Sequence, residues 1–304
     1  MKIVIAGGSG FLGRALSGRL VADGHQVLVL TRAAGPSAPW RGARSSASWL
    51  PNGTAGDWAS ALEGADAVVN LAGASIGDSR WTKERKDAIL GSRVDATRSL
   101  AAAIGGLDRP PSAFVSSSAQ GYYGDRGDEE LTEDAAPSRD FLAGVCVRWE
   151  AEARKAADTC RVVTLRTGIV LAADGGALPR MLLPFKLGGG GPFGSGRQFM
   201  SWIHLDDWVG LALAAIADTR VSGPVNVGSP APVRNREFAT ALGRVLHRPS
   251  LVRTPALALR LALGEMAQPL LLASTRMVPA AALACGYRFK YPDVDQALGA
   301  LVSR

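Results

Sequence analysis

Residues 2–13 read KIVIAGGSGFLG, and this stretch decides the fold. Ile3, Val4, Ile5 and Ala6 form an unbroken apolar run, which suits a strand covered on both faces, as in a parallel sheet. Gly7, Gly10 and Gly13 follow at the spacing G-x-x-G-x-x-G. Leu12, Ala15, Leu16 and Leu20 then recur at helical spacing and predict a helix over 11–23. A strand, a glycine-rich turn and a helix start make a cradle for a dinucleotide pyrophosphate. Gly7 permits the sharp turn, Gly10 keeps the backbone bare for the phosphates, and Gly13 lets helix and strand close up. The helix start contributes free N–H groups and partial positive charge. Ser9, Phe11 and Leu12 complete the cradle. The alternative reading is a tight turn with no ligand.

Working outward, short apolar runs alternate with helical patterns. Strands are predicted at 26–30, 67–71, 113–117 and 162–165, with a short one at 47–50. Helices are predicted over 81–104 and 141–158. The expected class is α/β, a Rossmann-like doubly wound parallel sheet. After about residue 167 the texture changes. The segment 174–196 is rich in Gly and Pro and ends in GGGGPFGSG. Strand-like pieces are expected at 201–207 and 224–227, and helices over 207–217, 235–246 and 255–272. These predict a smaller C-terminal substrate lobe. The expected division is a cofactor domain over 1–170 and a lobe over 171–304, with a soft boundary.

Composition narrows the classes. The 304 residues are 47% hydrophobic and 20% charged, which supports a sizeable core and argues against disorder. Three cysteines and three histidines, all scattered, argue against a disulfide framework and against a metal centre. The net charge is +7, but the 28 arginines and 6 lysines are dispersed, with no block of five like charges. That pattern fits a solvated arginine-rich surface, and the expectation is no nucleic-acid partner, with nucleic-acid binding the weaker alternative. No apolar run reaches the length of a membrane span, and Met1 leads straight into the first strand. The expectation is a cytoplasmic protein with free thiols and no membrane partner.

The second strand ends in VLVLTR, residues 27–32. An NAD-preferring site carries an acid there for the ribose 2′-OH. Here Thr31 and Arg32 stand instead, and an arginine fork suits a phosphate. The expected cofactor is NADP(H), with Arg32 and Thr31 on the 2′-phosphate. The alternative is a surface arginine in an arginine-rich chain.

AGGSGFLG (6–13), VVNLAGA (68–74) and SSSAQGYYG (116–124), in that order, resemble the extended, epimerase/dehydratase-like branch of the short-chain dehydrogenase/reductase superfamily. RWTKERKDAILGSR (80–93), RTGIVLAADGGAL (166–178), GGPFGSGRQFMSWIHLDD (190–207), NVGSPAPVRNREFA (226–239) and GYRFKYPDVDQAL (286–298) look like its atypical epimerase family protein group. The resemblance implies that Asn70, Leu71, Ala72 and Gly73 contact the adenosine and its ribose. It implies that Thr167, Gly168, Ile169 and Val170 pass the nicotinamide. Arg93 stands where many members have an Asn near the cofactor; it either reaches the cofactor or forms a salt bridge on the helix. A homodimer through the helices over 81–104 and 141–158 is usual in the superfamily.

The superfamily's hydride transfer is assisted by Ser or Thr, by Tyr, and by a Lys four residues after that Tyr. A phenol needs a nearby cation to act as a base at neutral pH. None of the four tyrosines here is followed four residues on by Lys. The helix over 141–158 has no tyrosine, and Arg148 or Trp149 is expected near the lysine's place. Ser118 matches the catalytic serine, and its neighbour Ser117 is a candidate to face the nicotinamide. A strand-terminating serine bonded to the backbone is the alternative. Tyr122, with Arg126 four residues on, is a candidate improvised pair, against a structural role for the tyrosines. His204, in WIHLDD, matches an element that closes the substrate lobe onto the sheet, with Asp206 and Asp207 capping the next helix; a general base is the other reading. Arg197 follows the glycine-rich loop and either meets an anionic substrate or sits on an ordinary loop. The function these features imply is NADP(H)-dependent oxidoreduction of a small carbonyl or sugar-like substrate. The alternative is a non-catalytic NADP(H)-binding sensor or interaction protein. A sugar-nucleotide epimerase would need a retained NAD, which Arg32 disfavours.

Overall fold

The strands, in chain order, are β1 (Lys2–Ala6), β2 (Gln26–Thr31), β3 (Ser45–Ser48), β4 (Ala67–Asn70), β5 (Ala113–Ala119), β6 (Glu130–Leu131) and β7 (Arg161–Thr167). They continue with β8 (Ile169–Leu171), β9 (Phe199–Met200), β10 (Trp202–His204), β11 (Gly223–Val227), β12 (Val233–Arg234) and β13 (Arg276–Met277). The α-helices are α1 (Phe11–Ala22), α2 (Lys83–Gly105), α3 (Phe141–Arg154), α4 (Leu178–Lys186), α5 (Leu205–Ala217), α6 (Asn235–Leu246), α7 (Ala256–Leu263), α8 (Ala280–Ala284) and α9 (Val294–Val302). This computed structural model describes residues 1–32 and 45–302. The start of the polar stretch before β3 lies outside the described residues.

Seven parallel strands run in the order β11-β7-β5-β4-β1-β2-β3. The order reverses beside β1, which is the doubly wound arrangement the sequence predicts. Alternate residues of each strand face opposite layers. Ile3, Ile5, Val69, Val115 and Leu165 pack with Leu16 and Leu20 of α1 and Trp208 and Ala212 of α5. Val4, Ala6, Val68 and Phe114 pack with Ala96, Leu100 and Ile104 of α2 and Ala153 of α3. Both faces are therefore covered, which explains the unbroken apolar strands. The two helices on the second face start at side-chain caps. Thr82 accepts from Arg85 N at 3.2 Å, and Asp140 accepts from Ala143 N at 3.0 Å.

The remaining chain packs around Leu171, Trp202, Phe238, Leu242 and Leu298. It does not stand apart from the sheet. β11 pairs with β7, α5 lies in the first layer, and β13 pairs with β6. The helix expected over 255–272 is interrupted. α7 ends at Leu263, Gly264 adopts φ +64°, and a 3₁₀ turn and a π turn carry the chain to Leu272. A glycine at positive φ and Pro269 both end regular helix.

Candidate functional site: the dinucleotide crevice

The glycine-rich turn has the close contacts that its spacing implies. Gly7 has φ +79°, and a Cβ there would lie 2.6 Å from the Leu71 carbonyl carbon. A Cβ on Gly13 would lie 2.3 Å from Gly7 O. No larger residue fits either position without moving backbone. Gly10 N donates to Gly7 O at 3.0 Å, closing the turn onto α1. Gly10 is exposed and supplies no side-chain cap, and the first turn of α1 holds no acidic residue. The N-terminal N–H groups of α1 thus keep their positive character for a ligand anion. Ser9 is exposed, and its carbonyl accepts from Arg14 Nη1 at 2.8 Å. The Phe11 ring lies against Gly175 and Gly176, where a Cβ on Gly175 would come within 2.4 Å of it. Leu12 is half-buried on the first core.

The loops expected around the cofactor converge on this turn. Asn70 is fully buried; its Nδ2 donates to Thr97 Oγ1 at 2.8 Å and its Oδ1 accepts from Ala72 N at 3.1 Å. That folds Leu71, Ala72 and Gly73 over the end of β4, in contact with Gly7. Arg93 reaches the same loop, donating from Nη1 to Ala74 O at 2.9 Å and to Ile89 O at 3.0 Å. Burial holds its guanidinium below the usual arginine pKa. It forms no helix-surface salt bridge among the described residues, and it lies 5.2 Å from the Trp149 ring centre. Thr31 is half-buried and Arg32 exposed at the end of β2. Thr167 Oγ1 accepts from Trp208 Nε1 at 3.2 Å, and Gly168 N donates to Val227 O at 2.9 Å. Ile169 and Val170 follow in β8, and a Cβ on Gly176 would come within 2.8 Å of Val170 O. The β8 strand and the turn are thereby tied together through Phe11.

At the tip of β5 the hydroxyl of Ser118 is committed. Ser118 is 3% exposed, and its Oγ donates to Glu150 Oε1 at 2.7 Å. Glu150 also accepts from Arg166 Nε and Nη2, each at 2.9 Å. Arg166 Nη1 donates to Tyr123 Oη at 3.0 Å, and Tyr123 Oη donates to Asn226 Oδ1 at 2.6 Å. Burial lowers the Arg166 pKa, but the bonds and charge of Glu150 outweigh it and raise it. Burial pushes the Tyr123 phenol up to about 12 against the opposing pull of Arg166. Ser117, the preceding residue of the strand, faces the opposite layer and is half-buried.

Two residues of α3 face this tip. A Cβ on Gly121 would lie 3.0 Å from Leu142 Cβ, and Cys146 Sγ donates to Ala119 O at 3.7 Å. They are four apart, the spacing of Tyr and Lys in the superfamily motif, and both are buried. Burial, and then the charge of Glu150, push the Cys146 thiol up to about 12. This corrects the expectation for Arg148 and Trp149. Arg148 is exposed, and Trp149 packs under Arg93. The expected Tyr122–Arg126 pair is also replaced. Arg126 bonds Glu129 at 2.6 and 2.8 Å, while Arg166 lies 3.5 Å from the centre of the Tyr122 ring. Among the described residues no group hydrogen-bonds the Tyr122 hydroxyl.

His204 and Arg197 lie in the lobe. His204 is buried and is itself the cap of α5, its Nδ1 accepting from Asp206 N at 3.0 Å, with its ring 3.9 Å from that of Tyr291. Asp206 and Asp207, expected as caps, sit in the first turn instead. Asp207 accepts from the backbone N–H groups of Lys290 and Tyr291 at 2.7 and 2.8 Å. Arg197 is exposed, and its carbonyl accepts from Arg234 Nη1 at 2.6 Å. Sequence reasoning missed Glu150, Arg166, Tyr123 and Asn226. Among the described residues no cluster of His, Cys, Asp or Glu could hold a metal ion, and no helix is long and apolar enough to cross a membrane.

The NAD dependent epimerase/dehydratase family model matches residues 3–228, the span that holds the turn, both loops expected around the cofactor and the buried cluster. The chain belongs to this family. A second model, a domain of unknown function (DUF1731), matches residues 254–301. Among relatives in the family, the Mycobacterium bovis epimerase family protein Mb2239 is 40% identical, covering 99% of this chain and 98% of its own. The Homo sapiens epimerase family protein SDR39U1 is 36% identical, covering 100% of both chains. The crystal structure of that human protein (isoform2) with NADPH superposes with a TM-score of 0.91, at 35% identity over 100% of both chains. A Corynebacterium glutamicum nucleoside-diphosphate sugar epimerase gives 0.80 at 34% identity, covering 99% of this chain and 58% of that one. The fold is the NAD(P)-binding, epimerase-like one.

Proposed function

We propose that this protein binds NADP(H) and uses it as an oxidoreductase on a small carbonyl or sugar-like substrate. The observation that carries the reading is the bare, uncapped start of α1 behind a turn that admits only glycine at Gly7 and Gly13. Gly7, Ser9, Gly10, Phe11, Leu12 and Gly13 would hold the diphosphate. Thr31 and Arg32 would take the 2′-phosphate, with no acid at the end of β2 to oppose it. Asn70, Leu71, Ala72 and Gly73 would line the adenosine side; Arg93, Ser117, Thr167, Gly168, Ile169 and Val170 the nicotinamide side. The human relative solved with NADPH supports the choice of cofactor. When bound, the nicotinamide supplies two-electron exchange with a substrate carbon. The chain must supply the proton. Ser118 Oγ already donates to Glu150, so in this reading it accepts, and Tyr122 Oη would carry the proton. Arg197 and His204 belong to the substrate side of this reading. A homodimer through α2 and α3 and a cytoplasmic location, with three unlinked cysteines, complete it.

A second reading has its own observation. Leu142 and Cys146 carry no proton that can move at neutral pH, and they stand at the spacing of the Tyr–Lys couple. That favours a protein which binds NADP(H) and signals its occupancy without turnover. One set of experiments separates the two. NADPH and NADH are titrated separately by nicotinamide fluorescence, with wild type and Arg32→Ala. NADPH is expected to bind more tightly. Arg32→Ala is expected to weaken NADPH by roughly 10–100-fold, the worth of about 1.5–3 kcal/mol in bonds to a charged group, and to leave NADH unchanged. NADPH oxidation with an aldehyde, ketone or sugar panel then supports the oxidoreductase. Binding without turnover supports the sensor. No binding of either nucleotide refutes both.

A further inference from the structure

Among the described residues, two guanidiniums on α2 lack a counter-ion. Arg85, Ile89 and Arg93 recur every four residues and share one stripe of the helix. Arg93 Nη1 donates to Ala74 O at 2.9 Å, and Arg85 Nη2 donates to Ser75 O. Carbonyls of consecutive residues therefore hold the two cations side by side. Among the described residues neither has a carboxylate within ion-pair distance. Other arginines of the chain do: Arg166 binds Glu150, Arg98 binds Glu152, and Arg234 binds Asp128. Arg85 Nε is buried and has no hydrogen-bond partner. Trp149 Nε1, on the indole that packs against Arg93, is also buried without one. Unmet buried donors and adjacent like charges are both unfavourable, and a bound oxyanion relieves both.

The location fits a ligand. The stripe stands beside Gly73 and close to Cys146, over the carboxyl ends of β4 and β5, which is where open α/β sheets bind ligands. Ser118 and Ala119 end β5 on the same side. We infer that Arg85 and Arg93 form an oxyanion subsite that receives the carboxylate or phosphoryl group of a small anionic substrate. The inference rests on the NADP(H) reading and adds a substrate class to it. The cofactor's own diphosphate is the rival source of the same chemistry.

The test uses malonate and inorganic phosphate as probes, titrated calorimetrically into the protein with and without saturating NADPH. Wild type is expected to bind one equivalent of one probe, and which of the two binds identifies carboxylate or phosphoryl as the preferred group. Arg85→Met, in the first turn of α2, is expected to weaken that binding at least tenfold and keep NADPH affinity within twofold. Arg85→Lys is expected to restore part of it. No saturable binding of either probe to wild type, or unchanged binding in Arg85→Met, overturns the inference. A tenfold loss of NADPH affinity in Arg85→Met assigns the pair to the cofactor and also overturns it. Wild type that binds malonate through Arg85 but binds no NADPH supports the subsite and refutes the cofactor reading alone.

Discussion

Arg166→Met tests whether the cluster at the tip of β5 organises the site. Arg166 is 3% exposed and Glu150 is 1% exposed. The substitution removes two bonds of 2.9 Å to Glu150, one of 3.0 Å to Tyr123 and one of 2.9 Å to Glu133 O. It leaves the Glu150 carboxylate with the Ser118 hydroxyl at 2.7 Å and with Arg154, an exposed side chain 3.8 Å away. Removing one partner of a buried pair costs about 3–5 kcal/mol, because the remaining charge is stranded. At about 2 °C per kcal/mol for a chain of this length, the melting temperature should fall by roughly 6–10 °C. The assay is urea unfolding followed by both tryptophan fluorescence and circular dichroism, so that coincident curves establish two-state behaviour. Glu150→Gln and the double variant complete a cycle. A coupling of about 1–3 kcal/mol is expected, with the double variant less damaged than the sum of the singles. A loss under about 1 kcal/mol for Arg166→Met, or strict additivity, would refute the reasoning that this cluster holds Ser118 in place.

Three further outcomes follow from single contacts. Gly13→Ala, with a Cβ 2.3 Å from Gly7 O, should abolish NADPH binding and lower stability, whereas Gly18→Ala, with nothing within 4 Å, should stabilise α1 by about 0.5–1 kcal/mol; equal effects in melting curves would contradict the geometry. Cys146 keeps its proton in the folded state to about pH 12, while the unfolded thiol loses it from about pH 9. The folded state therefore binds more protons, and stability should fall by roughly 1.4 kcal/mol per pH unit above 9, a slope that Cys146→Ala should flatten in urea midpoints at pH 8, 9.5 and 10.5. His204→Ala removes the Nδ1 cap of α5 and should cost about 1 kcal/mol with NADPH affinity unchanged; a loss of turnover beyond that stability loss would support its place on the substrate side, and intact turnover would leave it a cap alone.

What the sequence disclosed was what is local. The turn at Gly7–Gly13 needs only its own neighbours, so spacing alone located it. Most strands of the main sheet were legible because burial on both faces leaves apolar runs that read as such; the edge strand β3, Ser45–Ser48, has no such run and starts two residues before the strand expected at 47–50. β7 ran longer than its apolar stretch because Arg166 is buried within it, and a pattern of hydrophobicity has no means of expecting that. In a chain with 28 arginines, Arg166 and Glu150 look like two more surface charges until the fold sets them 2.9 Å apart. The same applies to Arg85, whose lack of a carboxylate among the described residues is a property of space and not of order along the chain. Leu142 and Cys146 were hidden for a different reason. An absent motif gives no clue to what stands in its place, and the register of α3 against β5 emerges only from packing. The uninterrupted helix expected over 255–272 failed on Gly264, where a single positive φ outweighed an apolar pattern.

The return of β11 to the main sheet bears on how the chain is made. A nascent chain that has emerged through residue 170 holds six of the seven strands, but the edge of β7 is still bare. Arg161 has yet to meet its acceptors, the carbonyls of Ala215, Ile216 and Val221, and Tyr123 waits for Asn226. β6 waits longer still, for Arg276 and Met277. The sheet is thus begun first at the glycine-rich turn and closed last at β11. On the ribosome the early half of the sheet is the kind of intermediate that presents an open parallel edge, a liability for self-association that ends only when the final third of the chain arrives.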